Sequence, residues 1–232
     1  MNVLITSAAT ELAQALAASL SGEHEVRLTD LVDVETDGAF VRCDLGHGEA
    51  TDQLVEGMDF VVHLAQIPPS ELDASDQPEN REIDFQTRCT YNLLLAAREA
   101  KVKRVVYAST LRLFEAGEED WAVTEVWAPR PTPDVDILSP YLGEFVCREF
   151  GREGRPKMTC LRLGTLVKAG SDGGDATALE LNDAVQAIEA ALKPGGWAWA
   201  VYHVQSGGPG ARFTIERAKN DLGFDPQFTV EG

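Results

Sequence analysis

The side chains able to do chemistry are few and scattered along the chain. Cys43, Cys89, Cys147 and Cys160 form no CxxC pair, and a chain of this size needs no disulfide staples, so a reduced, cytoplasmic protein is expected. Cys43 and His47 are the only close cysteine–histidine pair, nothing nearby completes a tetrahedral set, and no metal site is expected. His63 lies inside the apolar run DFVVHLA and reads as a hydrogen-bonded core residue. Glu115, Glu118, Glu119 and Asp120 form a charge run that reads as a solvated face. Trp121 and Trp127 either line a pocket or pin down a loop, and both readings stay open. Near the N-terminus, Thr10 suits a helix cap and Glu11 suits the positive end of the helix dipole. A ligand phosphate approaching that helix start would meet a carboxylate instead of an open anion site.

The elements that must position these groups alternate regularly. Asn2–Thr6 reads as a strand, Glu11–Leu20 as a helix, Glu25–Thr29 and Ala39–Arg42 as strands. Asp59–Ala65 is a nearly continuous apolar run, as expected for a strand covered on both faces. Arg81–Ala100 reads as a long helix carrying the Leu93–Leu95 apolar stripe, followed by the strand Arg104–Ala108. The rest gives a helix over Leu138–Phe150, a strand over Met158–Leu163, a helix over Leu179–Leu192, a strand over Trp199–Val204 and a helix over Thr214–Leu222. Glu115–Pro140, with Pro129, Pro131 and Pro133, is too irregular for one element and is expected over the sheet's carboxyl edge. Ala169–Thr177 reads as a glycine-rich connection. The alternation predicts an α/β, doubly wound parallel sheet in one domain spanning residues 1–232.

Composition excludes several classes. The chain has 232 residues, 44% of them hydrophobic and 25% charged, enough to bury a core. Twenty basic against 38 acidic residues leave a net charge of −18, which argues against a general nucleic-acid partner. No apolar run is long enough for a membrane span, and no basic segment precedes the first apolar stretch as in a signal peptide.

In this order the segments resemble the extended short-chain dehydrogenase/reductase family, the NAD-dependent epimerases and dehydratases. DFVVHLA resembles the family's fourth strand, and TYNLLLAA followed by VKRVVYAST its next helix and strand. SPYLGEF sits where the family has its active-site tyrosine helix, and MTCLRLGTL, DAVQA and LGFDP resemble later landmarks. The resemblance implies a Rossmann-type NAD(P)-binding fold, with residues 166–232 holding a reduced substrate lobe. It also implies a homodimer through the helices Arg81–Ala100 and Leu138–Phe150.

The site implied by the resemblance is degraded. The family's GxxGxxG loop falls on Ser7, Thr10 and Ala13, so that Ser7 must bear whatever φ the turn demands. Ala13 can serve the close-packing role, whereas Thr10 puts a branched side chain at the pyrophosphate. Asp30 falls where a carboxylate would hold the adenosine ribose and favour NAD, Asp44 and Leu45 match an adenine-side pair, and Leu64 and Ala65 match the strand end beside the cofactor. For Asp30 a solvated loop acid remains an equal reading. The catalytic hydroxyl and tyrosine fall on Thr110 and Tyr141, and the lysine four residues later is Phe145. Phenylalanine cannot bring a tyrosine pKa near 10 toward neutrality, and one helical turn from Tyr141 it is expected to fill the ribose space. Arg148 offers no convincing replacement. These departures imply a non-catalytic ligand-sensing or partner-binding module in which NAD binds weakly or not at all, with Kd above about 0.1 mM. The alternative is a working NAD-dependent oxidoreductase, epimerase or dehydratase built on Thr110 and Tyr141, acting on a sugar or nucleotide sugar.

Overall fold

Seven parallel strands form the centre of the molecule, in the spatial order Ala39–Arg42, Glu25–Asp30, Asn2–Ile5, Phe60–His63, Arg104–Thr110, Lys157–Leu163, Trp199–Val204. The computed structural model describes residues 1–117, 123–168, 175–193 and 196–229. The strands are β1 (Asn2–Ile5), β2 (Glu25–Asp30), β3 (Ala39–Arg42), β4 (Phe60–His63), β5 (Arg104–Thr110), β6 (Lys157–Leu163) and β9 (Trp199–Val204). A separate two-stranded ladder pairs β7 (Thr165–Val167) with β8 (Ala178–Glu180). The helices are α1 (Glu11–Leu20), α2 (Glu49–Val55), α3 (Pro69–Asp73), α4 (Pro78–Asp84), α5 (Thr90–Glu99), α6 (Val135–Arg152), α7 (Leu181–Leu192) and α8 (Glu216–Leu222). This is the doubly wound, Rossmann-like α/β architecture that the alternation predicts.

Both faces of the sheet are covered, which is why its central strands carry apolar residues on successive positions. One core cluster joins α1, α7 and α8 to the sheet through residues such as Leu12, Leu16, Ile188 and Phe224. The other joins α2, α5 and α6 through Leu54, Leu93, Leu94 and Cys147. Leu93–Leu95 therefore packs inward, with Leu93 and Leu94 fully buried. A third, smaller cluster of Leu111, Leu113, Phe114, Val123, Ile137 and Phe213 caps the carboxyl end of the sheet, and Tyr141 packs against it.

Element bounds differ from the sequence expectation where polarity and proline mislead. The run expected as one helix over Arg81–Ala100 is α4, a wide π turn at Phe85–Cys89, and α5. Helix α6 starts at Val135 and runs through Pro140, earlier than the proline-rich approach indicates. Pro140 is the sixth residue of the helix, past the first turn, so the hydrogen bond a backbone N–H there would give to the Asp136 carbonyl is absent. The short elements α2, α3, β7 and β8 carry too little pattern to be read from sequence. Trp121, three members of the acidic run (Glu118, Glu119 and Asp120) and residues 169–174 of the glycine-rich connection lie outside the described residues.

Candidate active-site crevice

Strand order reverses between β1 and β4, and in open parallel sheets that switch point, at the carboxyl ends, is where ligands bind. Ser7 follows β1 there and takes a φ of +59°. The demand for a positive φ is thus real, and a serine meets it. Its Oγ donates to the Gln66 carbonyl and accepts from the Gln66 N–H, both at 2.9 Å, bridging the loops after β1 and β4. Thr10 caps α1: its Oγ1 accepts from the Ala13 N–H at 3.2 Å and donates to the Ser7 carbonyl at 2.8 Å. Ala13 is fully buried. Glu11 reaches outward to Lys168, with Nζ 3.0 Å from its carboxylate.

The neighbouring strand ends are strained in the same way. Leu45 has φ +54° and Ala65 φ +55°. For a residue with a Cβ the left-handed region costs about 1–2 kcal/mol. Three of the four non-glycine residues with positive φ among those described therefore sit around this switch point. Asn92 Nδ2 holds the Leu45 carbonyl at 3.1 Å, and Gln86 Nε2 holds the Ala65 carbonyl at 2.7 Å. Asp44 Oδ1 accepts from the Gly46 N–H. Asp30 is 5% exposed, so it is no solvated loop acid. Its Oδ2 accepts from the Ala9 N–H at 2.8 Å and its Oδ1 from the Leu31 N–H at 2.6 Å. Leu64 is buried beside Ala65.

A cavity of about 430 Å³ opens from Ala65 and Gln66 across the ends of β5 and β6. Thr110 and Ser109 line it, and helix α6 contributes Asp136 and Pro140. Tyr141 and Phe145 do not line it: they border a different recess on the far flank of α6. The expectation that Phe145 fills the ribose space is therefore corrected. It does lie against Tyr141, with ring centroids 4.8 Å apart, but it is 38% exposed and faces away from the crevice. The structure thus brings Thr110 and Tyr141 to different cavities.

Gly143 explains the phase of the helix. A Cβ there would overlap the Tyr107 hydroxyl, so position 143 must face the sheet. Positions 136, 140 and 147 recur at spacings of three and four and share that face. Tyr107 is itself spent on structure, its hydroxyl 2.6 Å from Gln86 Oε1 and 3.1 Å from the Pro140 carbonyl, and burial pushes its pKa well up.

The groups that do meet in the cavity include residues the sequence reading passed over. Asp136 forms an ion pair with Arg112, which also holds Glu115 at 3.0 Å. Thr110 Oγ1 accepts from the Arg112 N–H at 3.1 Å. Ser109 points back into the protein, donating to Glu144 Oε1 at 2.6 Å. Glu82 also lines the cavity, 3.4 Å from the Ser139 hydroxyl; burial raises its pKa and the Asp136 charge adds to the shift. His63 is fully buried between Thr6 and Thr90, both at 2.9 Å, and burial drops its pKa to about 3. Among the described residues no cluster of three His, Cys, Asp or Glu side chains could hold a metal ion.

The model of the NAD dependent epimerase/dehydratase family matches residues 4–191, most of the chain. The chain belongs to that family. It is 24% identical to the uncharacterized protein YtbQ of Bacillus subtilis over 98% of this chain and 94% of that protein. It is also 28% identical to a uronate dehydrogenase of Pseudomonas putida, over 70% of this chain and 60% of that protein. Among solved structures, the uronate dehydrogenase of Agrobacterium tumefaciens superposes with a TM-score of 0.85 at 23% identity, covering 99% of this chain and 85% of that one. No described helix is long and apolar enough to cross a membrane.

Within the family frame the departure is sharper than the sequence indicated. The family's acid/base tyrosine and its lysine stand one helical turn apart. The pair on α6 at that spacing that lines the crevice is Asp136 and Pro140, and no tyrosine or lysine is among the residues lining the cavity.

Proposed function

We propose that this chain is a non-catalytic, ligand-binding member of the epimerase/dehydratase family. One observation carries the reading: Asp136 and Pro140, not a tyrosine and a lysine, face the crevice beside Thr110. Proton transfer by the family's route needs a phenol tuned by a neighbouring cation, and Asp136 is instead engaged with Arg112. The strained residues Ser7, Leu45 and Ala65 support retention of a ligand cradle, because such strain persists where surrounding structure over-determines it.

The adenosine end of a dinucleotide fits this cradle. Asp30 and Asp44 with Leu45 would hold ribose and adenine, and the N-terminus of α1 would face the pyrophosphate. When bound, NAD supplies a hydride acceptor. Thr10 puts a branched side chain in the loop, and Glu11 adds a carboxylate that pairs with exposed Lys168. The proposed NAD affinity is accordingly weaker than about 0.1 mM, or roughly 5.5 kcal/mol. The second ligand is a sugar or nucleotide sugar, supported by the names of the neighbours: uronate dehydrogenases and a UDP-glucuronic acid 4-epimerase. A homodimer through α5 and α6 belongs to the same reading, supported by exposed Tyr91 packed edge-on against Phe150.

Calorimetric titration with NAD, NADH, NADP and NADPH tests the proposal. Weak or undetectable heats fit it; a micromolar NAD isotherm would overturn its account of the loop. A second reading has one observation behind it. Glu82, with its raised pKa, lines the cavity with Thr110 and could handle a proton where the tyrosine is missing. That reading requires NAD-dependent turnover abolished by Glu82→Gln.

A further inference from the structure

Carboxylates outnumber cations on the wall of the crevice, and one of them stands without a counter-charge. Glu82 enters the cavity from α4 and accepts from the Ser139 hydroxyl at 3.4 Å. Among the described residues no lysine or arginine pairs with it: Arg81, its neighbour on α4, is held by Glu71 at 2.7 Å. Arg112 is the one cation among the described residues lining the cavity, and Asp136 and Glu115 already share it. A carboxylate half out of water with no cation beside it is unfavourable, and the Asp136 charge adds repulsion, so the Glu82 pKa is raised. Neutralising this wall takes a proton or a positive charge brought by the occupant.

The geometry narrows what that occupant is. Both carboxylates can be reached, since Glu82 is only partly buried and the Asp136 side chain is 52% exposed. Two carboxylates are too few to hold a calcium or magnesium ion unaided, and no third His, Cys, Asp or Glu among the described residues completes a set. An ammonium is a compact charge with three donors, which two carboxylates can share. The cavity of about 430 Å³ has room for a small ring, and its lining mixes Leu72, Leu163 and Leu166 with the polar groups of Gln66 and Thr110. A sugar acid would instead bring a second negative charge to a wall whose single guanidinium is spent.

We propose that the crevice takes an amino sugar, its ammonium between Glu82 and Asp136, and rejects sugar acids. The inference rests on the crevice being a sugar site and adds its charge selectivity.

Glucosamine, glucose and glucuronate test it, because they share a pyranose ring and differ in charge. Titrations of the full chain, followed by nitrogen–proton NMR at the Thr110 and Gln66 amides, should give glucosamine a Kd on the order of 1–10 mM. Glucose should bind at least about fivefold more weakly, the scale of one partly exposed ion pair, and glucuronate more weakly still. The chain carries a net charge of −18, so general attraction of cations needs its own control. Glu82→Gln should bring glucosamine down to the affinity of glucose. Glu56→Gln, exposed between α2 and β4 at the opposite end of the sheet, should leave it unchanged. Asp136 variants would also release Arg112, so Glu82 is the position of choice. Equal binding of the three sugars, preference for glucuronate, or equal loss in the two variants overturns the charge selectivity and leaves the crevice a sugar site. No shift from any of the three at about 50 mM overturns the sugar reading of the crevice, and the inference with it.

Discussion

At the β1 end of the crevice a serine holds φ +59° without a glycine, and the turn survives. At the α6 end the helix survives as well, but its crevice face carries Asp136 and Pro140. The first loss is conformational, and Ser7 offsets it locally with two hydrogen bonds to Gln66. The second difference is chemical: no tyrosine or lysine is among the described residues that line the crevice. Backbone requirements can therefore be met by substitute residues, whereas a reaction needs particular groups at particular atoms. One region keeps its shape with a substitute residue; the other keeps its shape with different side chains facing the crevice.

The largest expected effect tests the phase of α6. Gly143→Ala would press a methyl against the Tyr107 hydroxyl and should cost about 3 kcal/mol through overpacking, read as a lower urea midpoint. An unaffected midpoint would mean that position 143 does not face the sheet, and the assignment of Asp136 and Pro140 would fall with it.

Next come two buried histidines, one beneath each region. His63 is satisfied by Thr6 and Thr90, whereas His203 on β9 has no partner for either ring nitrogen among the described residues. Burial lowers both to about 3, and for His203 the charges of Arg162 and Arg217 add to the effect. The unfolded chain binds protons near pH 6.5 while the folded one does not. The stabilisation is therefore complete above pH 6.5 and is lost as pH falls toward 3, by about 1.4 kcal/mol per pH unit for each histidine. Urea titrations at pH 7 and pH 5 should show this slope. His203→Phe, placed among Phe114 and Phe213, should remove one histidine's share of it.

Ser7 probes the substitute at the β1 end. Ser7→Ala keeps the strain and loses both bonds to Gln66, a cost of about 2 kcal/mol. Ser7→Gly loses the bonds but sheds about 1–2 kcal/mol of strain, so it should lie within about 1 kcal/mol of the natural protein. Equal destabilisation by both would mean that the positive φ carries no strain.

The smallest effect contrasts two lysines on one helix. Pro140→Lys points into the crevice and should tighten NAD binding about tenfold, or 1.4 kcal/mol, by a charge-assisted hydrogen bond. Phe145→Lys, facing the outer recess, should leave NAD binding unchanged. Calorimetry on the two variants decides between the faces.

The sheet was legible because its strands are buried runs such as Phe60–His63 and Arg104–Tyr107, whose periodicity survives any change at the site. That Ser7 must bear the backbone demand of the strand-to-helix turn was legible too; that the demand is a positive φ comes from the structure. The phase of α6 was not. SPY resembles the approach to a catalytic tyrosine and drew the register to Tyr141, one residue past the crevice-facing Pro140. The signal against that register was Gly143, a glycine inside a helix, explicable only by the close approach of Tyr107 from β5. Arg112, Glu82 and Gln86 enter the crevice from elements distant in sequence, and their convergence depends on strand order.

The central claim, that the crevice binds without reacting, is tested most directly by turnover. NAD reduction by the unmodified protein would be followed by nicotinamide absorbance with glucuronate as the sugar acid, beside an active uronate dehydrogenase as the reference. The account predicts no saturable rate above that of the Asp136→Asn variant. A saturable rate that Asp136→Asn or Glu82→Gln abolishes would contradict it, by showing that carboxylates perform the proton transfer that the missing tyrosine and lysine do not.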